Sequence, residues 1–283
     1  MRLCHNMNSL SLYNKYKKNL SVSQSTLNKI TSGVKINSAK DNPDKIGQSE
    51  AMRIKIKSMQ TAQKNMQDGS SMLQVADGAL QQVNNMLSRL KELAVSAADD
   101  TKTEGDKKII QEEAKQILSG INDIASNTEF NGIKLIGKET VIDNKKPEYQ
   151  IATTGAEVGD NMKVPIYNIN TGFIEDEDGN RLCDIDLVNN PSQAIGVVSA
   201  SINIVNEIRS VYGAINNKFD SSYERLQSST DIAENASSKL TDADIAEEMV
   251  NYSKTQILYE AQIALIAQSN RFPMDALKVL DKL

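Results

Sequence analysis

Tryptophan is absent from the 283 residues, histidine occurs once, and aromatic residues reach only 4%. The apolar share of 39% therefore rests on Met, Ala and aliphatic side chains, a composition that suits helices packed on helices better than an enzyme core. The two cysteines, Cys4 and Cys183, are too few and too far apart for a disulfide framework or a metal knuckle, and they read as free thiols. His5 stands near the start of the chain on no scaffold, and no HExxH stretch occurs, so neither a Ser-His-Asp site nor zinc proteolysis has an anchor. No run approaches about 18 continuous apolar residues, so no membrane span is expected. "MRLCHNMNSL" lacks the apolar region of a secretory signal, which points to a cytoplasmic protein or one exported by another route. A net charge of -5 argues against nucleic acid as a partner, and Lys15, Lys17 and Lys18 read as a wet helix face.

Periodicity is what the sequence does have. Tyr13, Leu20, Leu27 and Val34 recur every seventh residue, with Leu10 leading in and Tyr16 and Ile30 on an offset row. A longer row runs from Met52 through Met66, Leu73, Leu80, Leu87 and Ala94 to Ala97, with Gln63 and Ser70 filling polar beats and one beat skipped near Gly69. After the break "DDTKTEGD", Ile110, Ala114, Ile117, Ile121 and Ile124 form a shorter returning helix. Ile195, Val198, Ile202, Val205, Ile208, Tyr212, Ile215, Phe219 and Leu226 form another row, interrupted at "SSKLTDAD". The last helix has two adjoining apolar rows, one through Ile245, Met249 and Ile263, the other through Val250 and Ile257, with Leu258 beside them. Heptads of this length predict coiled-coil packing. At about 1.5 Å per residue the second helix alone spans roughly 70 Å, the length of a rod. Asn42–Pro43 and Asn190–Pro191 mark helix starts, and Thr241 with Asp244 reads as a weak capping box for the final helix. None of the five prolines is expected to interrupt a long periodic segment.

The middle, residues 131–189, alternates short β-prone runs with Gly, Asn and Asp, and "DEDGN" is a hairpin signal. The fold class is mainly α: a long antiparallel helical rod formed by the N- and C-terminal segments, with a small β-hairpin-rich insert. Residues 1–42 and 242–283 read as terminal helices, 43–130 and 190–241 as a helical rod, and 131–189 as the insert. "GIKLIGKE" is a near miss to a phosphate loop, with Glu139 where Ser or Thr belongs. Asp176, Asp178 and Asn180 have calcium-loop spacing, but Arg181 and Leu187 occupy the positions of the required Gly and Glu. No catalytic, metal-ligating or cofactor-binding residue is expected.

"HNMNSLSLYN", "LNKITSGVKINSAKDNPD", "LKELAVSAADDT", "NTEFNGIKL", "GAINNKF" and "LTDADIAEEMVNYSKTQILYEAQIALIAQSN" together resemble bacterial flagellin over about residues 1–137 and 190–283. The resemblance implies a non-enzymatic subunit of the flagellar filament that supports motility. It implies export, largely unfolded, through the flagellum's own channel, hence an extracellular place in the filament. The implied partners are other flagellin subunits, an export chaperone, the export apparatus, a cap protein and a hook–filament junction protein. The terminal segments would be disordered alone and pair on polymerisation. Leu10, Tyr13, Leu20, Leu27, Ile30, Val34, Ile245, Met249, Val250, Ile257, Leu258 and Ile263 would pack the filament core. "LSRLKELAV" is similar to the flagellin segment bound by a vertebrate Toll-like receptor, which carries a receptor contact onto Arg89, Leu93 and Glu113.

Departures keep two further readings open. "NPDKIGQSE" stands where the family has an Ala-rich stretch, and Pro43 is reminiscent of hook–filament junction proteins, so a junction or minor axial protein is the alternative. An enzyme within the insert is the third reading, disfavoured by size. On the filament reading, Leu27→Asp or Ile257→Asp abolishes filaments in electron micrographs while helicity by circular dichroism is largely kept. Normal filaments from both variants would contradict the assignment of these rows.

Overall fold

The computed structural model describes residues 6–280 except 139, 142, 143, 145, 156, 158 and 177, and for 273–280 the backbone alone. Cys4 and His5 lie outside the described residues, as does Glu139. Five helices dominate: α1 (Met7–Ser32), α2 (Pro43–Ala97), α3 (Glu104–Asn127), α4 (Pro191–Thr241) and α5 (Ile245–Leu280). Two antiparallel hairpins, β1 (Glu129–Phe130) with β2 (Ile133–Lys134) and β3 (Glu148–Thr153) with β4 (Asn161–Ile166), and a 3-10 turn at Leu182–Asp184 lie between α3 and α4. The chain divides into two compact units, Met1–Ile56 with Asp231–Leu283, and Lys57–Thr230.

The second unit has an ordinary hydrophobic core. Leu80, Val83, Leu87, Leu90 and Ala94 of α2 are fully buried, as are Ala114 and Ile121 of α3 and Val198 and Val205 of α4. These are members of the expected rows, so helical spacing placed the buried face correctly. The polar beats of the α2 row meet polar groups of α4. Ser70 Oγ donates to Asn216 Oδ1 at 2.7 Å, and Gln63 Nε2 donates to Thr230 Oγ1 at 3.4 Å. The skipped beat at Gly69 is filled from across the interface: a Cβ there would lie 2.8 Å from Cζ of Phe219, whose ring is 1% exposed.

The insert belongs to this core. Leu135, Ile136, Ile169, Ile174, Leu182 and Leu187 are buried and join the helical cluster. In β4, Met162, Val164 and Ile166 alternate inward, as the two-residue period of a strand requires. The two glycines of the near-miss phosphate loop, Gly132 and Gly137, have structural roles. Asn131 and Gly132 have φ of 50° and 78°, the two left-handed positions of a two-residue hairpin turn between β1 and β2. At Gly137 a Cβ would come within 2.2 Å of the Ala125 backbone oxygen, so only glycine lets the chain pass.

Helix ends agree with the sequence in part. Asn42 Oδ1 accepts from Lys45 N at 3.1 Å at the start of α2, and α4 begins at Pro191. The expected cap at Thr241 is not formed. Helix α4 runs through "SSKLT", and the Thr241 hydroxyl donates back to the Ser237 carbonyl at 2.8 Å. Asp244 caps α5 instead, accepting from Ala246 N at 2.9 Å and Glu247 N at 3.2 Å. Its carboxylate adjoins the helix start, where the orphan amides and the helix dipole both favour it. The break before α3 conceals a capping box that went unread: Thr103 Oγ1 accepts from Asp106 N, and Asp106 Oδ2 accepts from Thr103 N, both at 3.2 Å. The Thr103 hydroxyl, then its amide, hold the Asp106 carboxyl below the usual range. Helix α5 also continues beyond Asn270 through Pro273, so one proline does fall within a helix.

Two glycines separate close approach from open space. Gly137→Ala is expected to destabilise the second unit by about 1–3 kcal/mol, the usual cost of overpacking. Gly213→Ala, in α4 with nothing within 4 Å of the added methyl, should stabilise by about 0.5–1 kcal/mol. Urea unfolding of the two variants checks both signs.

Candidate assembly surface

In the first unit α1 and α5 run antiparallel. Asn6 Nδ2 donates to the Ser269 carbonyl at 2.9 Å, Asn19 Nδ2 to the Thr255 carbonyl at 2.9 Å, and Lys29 Nζ pairs with Glu248 Oε1 at 3.3 Å. Residues 6, 19 and 29 thus meet 269, 255 and 248 in reverse order. Rings of Tyr16 and Tyr259 stand 5.3 Å apart between the first two contacts, and their hydroxyls hydrogen-bond, raising the Tyr16 pKa. Past the end of α1 the pair closes with a short bridge. Gly33 takes the left-handed conformation at φ 72°, Lys35 N donates to the Thr241 carbonyl at 2.7 Å, and Ala243 N donates to the Gly33 carbonyl at 2.9 Å.

This seam is built from the wrong chemistry for a self-sufficient coiled coil. Among the described side chains of the first unit, only Thr26 and Thr255 are fully buried. The amide oxygen of Gln262 is buried with no hydrogen-bond partner. The large apolar side chains point the other way. Leu10 is 54% exposed, Tyr13 53%, Val250 68% and Ile257 68%. Leu20, Leu27, Ile245, Met249, Leu258 and Ile263 are exposed as well, while Ile30 and Val34 are half-buried. Ile30 lies on the seam side, and Val34 sits in the bridge to Asp242. The heptad row Tyr13, Leu20 and Leu27 therefore does not meet α5. The sides of α1 that do are set by Leu12, Tyr16, Asn19, Ser23, Thr26 and Ile30, spaced by fours and threes. Counting apolar residues alone hides this row, because half of it is polar.

The three residues assigned to receptor contact lie in the second unit. Arg89 and Glu113 are brought together, with Nη2 to Oε1 at 2.8 Å, and Arg89 Nη1 reaches Glu92 Oε2 at 3.0 Å. Glu113 first, then Glu92, raises the Arg89 pKa further. Leu93 is 6% exposed and belongs to the buried side of α2.

The other sites considered from sequence prove to be structural. Asp176 Oδ1 accepts from Asp178 N at 2.8 Å and Asn180 N at 3.0 Å, so its carboxylate serves its own turn, and these bonds lower its pKa. Cys183 is a free, exposed thiol whose pKa is raised, chiefly by desolvation. Among the described residues no group of His, Cys, Asp or Glu is placed to hold a metal, and no helix is long and apolar enough to cross a membrane.

Two long helical ends with outward apolar rows have counterparts. The bacterial flagellin N-terminal helical region matches residues 3–140, and the C-terminal helical region matches residues 195–280. The chain belongs to the bacterial flagellin family. Flagellin of Halalkalibacterium halodurans is 31% identical over 282 residues, covering 99% of this chain and 100% of that one. Flagellin of Bacillus subtilis is 32% identical over 304 residues, with 99% and 100% covered. In fold alone, a structure described as a flagellar hook-associated protein of Vibrio parahaemolyticus aligns with 71% of this chain at a TM-score of 0.62 and 15% identity. As a flagellin, the protein is a structural subunit that polymerises with its own kind into the flagellar filament, the organelle of motility. The part that neither family region matches, residues 141–194, covers most of the β insert.

Burial separates packing from surface roles at the three receptor-assigned positions. Leu93→Ala should cost about 2–5 kcal/mol of unfolding free energy, as a core truncation does. Glu113→Ala should change it by less than about 1 kcal/mol, since exposed ion pairs contribute little. Equal losses from the two variants in urea titrations would contradict that division.

Proposed function

We propose that this flagellin builds its filament by covering the outward apolar rows of α1 and α5 with sister subunits. Residues 1–42 and 242–283 form the filament core in this reading, with residues 43–130 and 190–241 as the helical layer around it and 131–189 as the insert. The supporting observation is that, among the described side chains, the α1–α5 pair buries two threonines while leaving Leu10, Tyr13, Val250 and Ile257 more than half exposed. Ordering a residue costs about 1–2 kcal/mol, and each neutral hydrogen bond in the seam returns about 0.5–1.5 kcal/mol net. The seam alone is too weak to hold the helices, and isolated helices are marginal in water. Burying each exposed Leu, Ile or Val against a neighbour contributes about 1.5–3 kcal/mol, which is where the order comes from. Contacts of this kind run head to tail and do not close, so they propagate as a helix of subunits.

Ends that stay unfolded until partners arrive also suit passage through the flagellar export channel. An export chaperone would shield them in the cell, and a cap protein would fold them at the growing tip outside it. The base of the filament would meet a hook–filament junction protein. The exposed Arg89–Glu113 pair is the surface offered to a Toll-like receptor, with Leu93 acting through the packing beneath it.

Limited proteolysis of the lone subunit, followed by seeded polymerisation under the electron microscope, tests the core of this reading. The expected result is rapid loss of both ends, survival of a fragment of about residues 45–240, and long filaments from intact protein once seeds are added. Protease-resistant ends in the lone subunit together with no filaments on seeding would overturn it.

A further inference from the structure

Resting on the proposal that the ends pair as subunits assemble, we infer that Asn19 is a register-determining residue of the terminal helix pair. The apolar pattern cannot set the register by itself. Tyr13, Leu20 and Leu27 repeat every seventh residue, as do Tyr252, Tyr259 and Ile266, and Val250 and Ile257. Sliding α5 along α1 by one heptad would present nearly the same outward rows to a neighbouring subunit, and would set Tyr252 or Ile266 where Tyr259 now faces Tyr16.

The polar contacts do not survive such a slip. Asn19 Nδ2 reaches the Thr255 carbonyl because Thr255 is small and turns its own hydroxyl away, donating to the Tyr252 carbonyl at 2.8 Å. A slip of one heptad would bring Asn19 opposite Gln262 or Glu248, setting a longer side chain where the small, buried Thr255 now leaves room for the amide to reach a carbonyl. The same slip would part Lys29 from Glu248. A half-buried amide left without its acceptor is penalised, and single polar residues in a coiled-coil seam fix register in this way while lowering stability. The bridge at Val34 and Asp242 anchors one end of the pair; Asn19 anchors its middle.

The test uses the full chain with Cys4→Ser and Cys183→Ser, and spin labels on Ser11→Cys and Glu247→Cys, exposed positions that the antiparallel pairing sets far apart along the helices, so that an axial slip changes their separation by nearly its full length. Labelled subunits are diluted into filaments of unlabelled protein, and the distance between labels is read by pulsed electron paramagnetic resonance. With Asn19 present, one distance is expected. Asn19→Leu should add a second population displaced by about 10 Å, one heptad of helix rise, or be excluded from the filament. Asn19→Gln, which keeps the amide, should enter with one distance. In the lone subunit, Asn19→Leu should also slow digestion of the ends several-fold, because a polar seam position lowers stability. A single unchanged distance in Asn19→Leu filaments would overturn the inference and give the register to the other contacts of the pair, Asn6–Ser269, Lys29–Glu248 and the Val34–Asp242 bridge. Exclusion of both the Leu and the Gln variant would overturn it too. The labelled Asn19 chain free in solution reports separately on the parent reading: the filament's single narrow distance there would sink that reading, while the Leu variant still reports on register.

Discussion

The polarity of the seam between α1 and α5 is the constraint on which the assembly rests. Hydrophobic burial is non-directional, so a helix pair normally turns its apolar rows inward. Here Asn19, Thr26, Lys29, Glu248 and Thr255 face the partner helix, while Leu10, Leu20, Leu27, Val250, Ile257 and Ile263 are exposed. On the proposed reading such a pair is one layer of a larger core whose remaining layers come from sister subunits, and the filament is the smallest object in which these ends are properly folded.

The second unit has the opposite logic. Its core is closed by α2, α3, α4 and the insert, and it contains the fitted features of a unit that stands alone: a ring over a bare glycine, a two-residue hairpin, and a capping box before α3. The surface ion pairs, such as Arg89–Glu113 and Arg209–Asp77, decorate this core and contribute little to it. On the proposed reading the chain joins one self-sufficient unit to one whose outward rows wait for partners.

Much of this was legible in the sequence. The rows of α2 and α4 predicted their buried faces because long helices with a single apolar side have one sensible orientation. The small β insert was legible from its turn residues, and the family from motifs at both ends. The direction of the terminal seam was not legible, since α1 and α5 have apolar residues on several sides and periodicity marks a row without saying what it faces. The N-cap of α5 was misplaced by three residues because Thr and Asp cap equally well on paper, and α4 overran "SSKLT" to decide between them. The turn at Asn131–Gly132 was harder to read, because Gly132 also opens the near miss to a phosphate loop.

The Phe219 ring against Gly69 sets how the helical layer can respond to bending. Close-packed interiors are bistable rather than continuously deformable, and helices shift past one another in steps of about one turn, roughly 5.4 Å. With an aromatic ring seated over the one bare position of the row, sliding α2 along α4 would force the ring out of its seat, so this contact opposes any such shift.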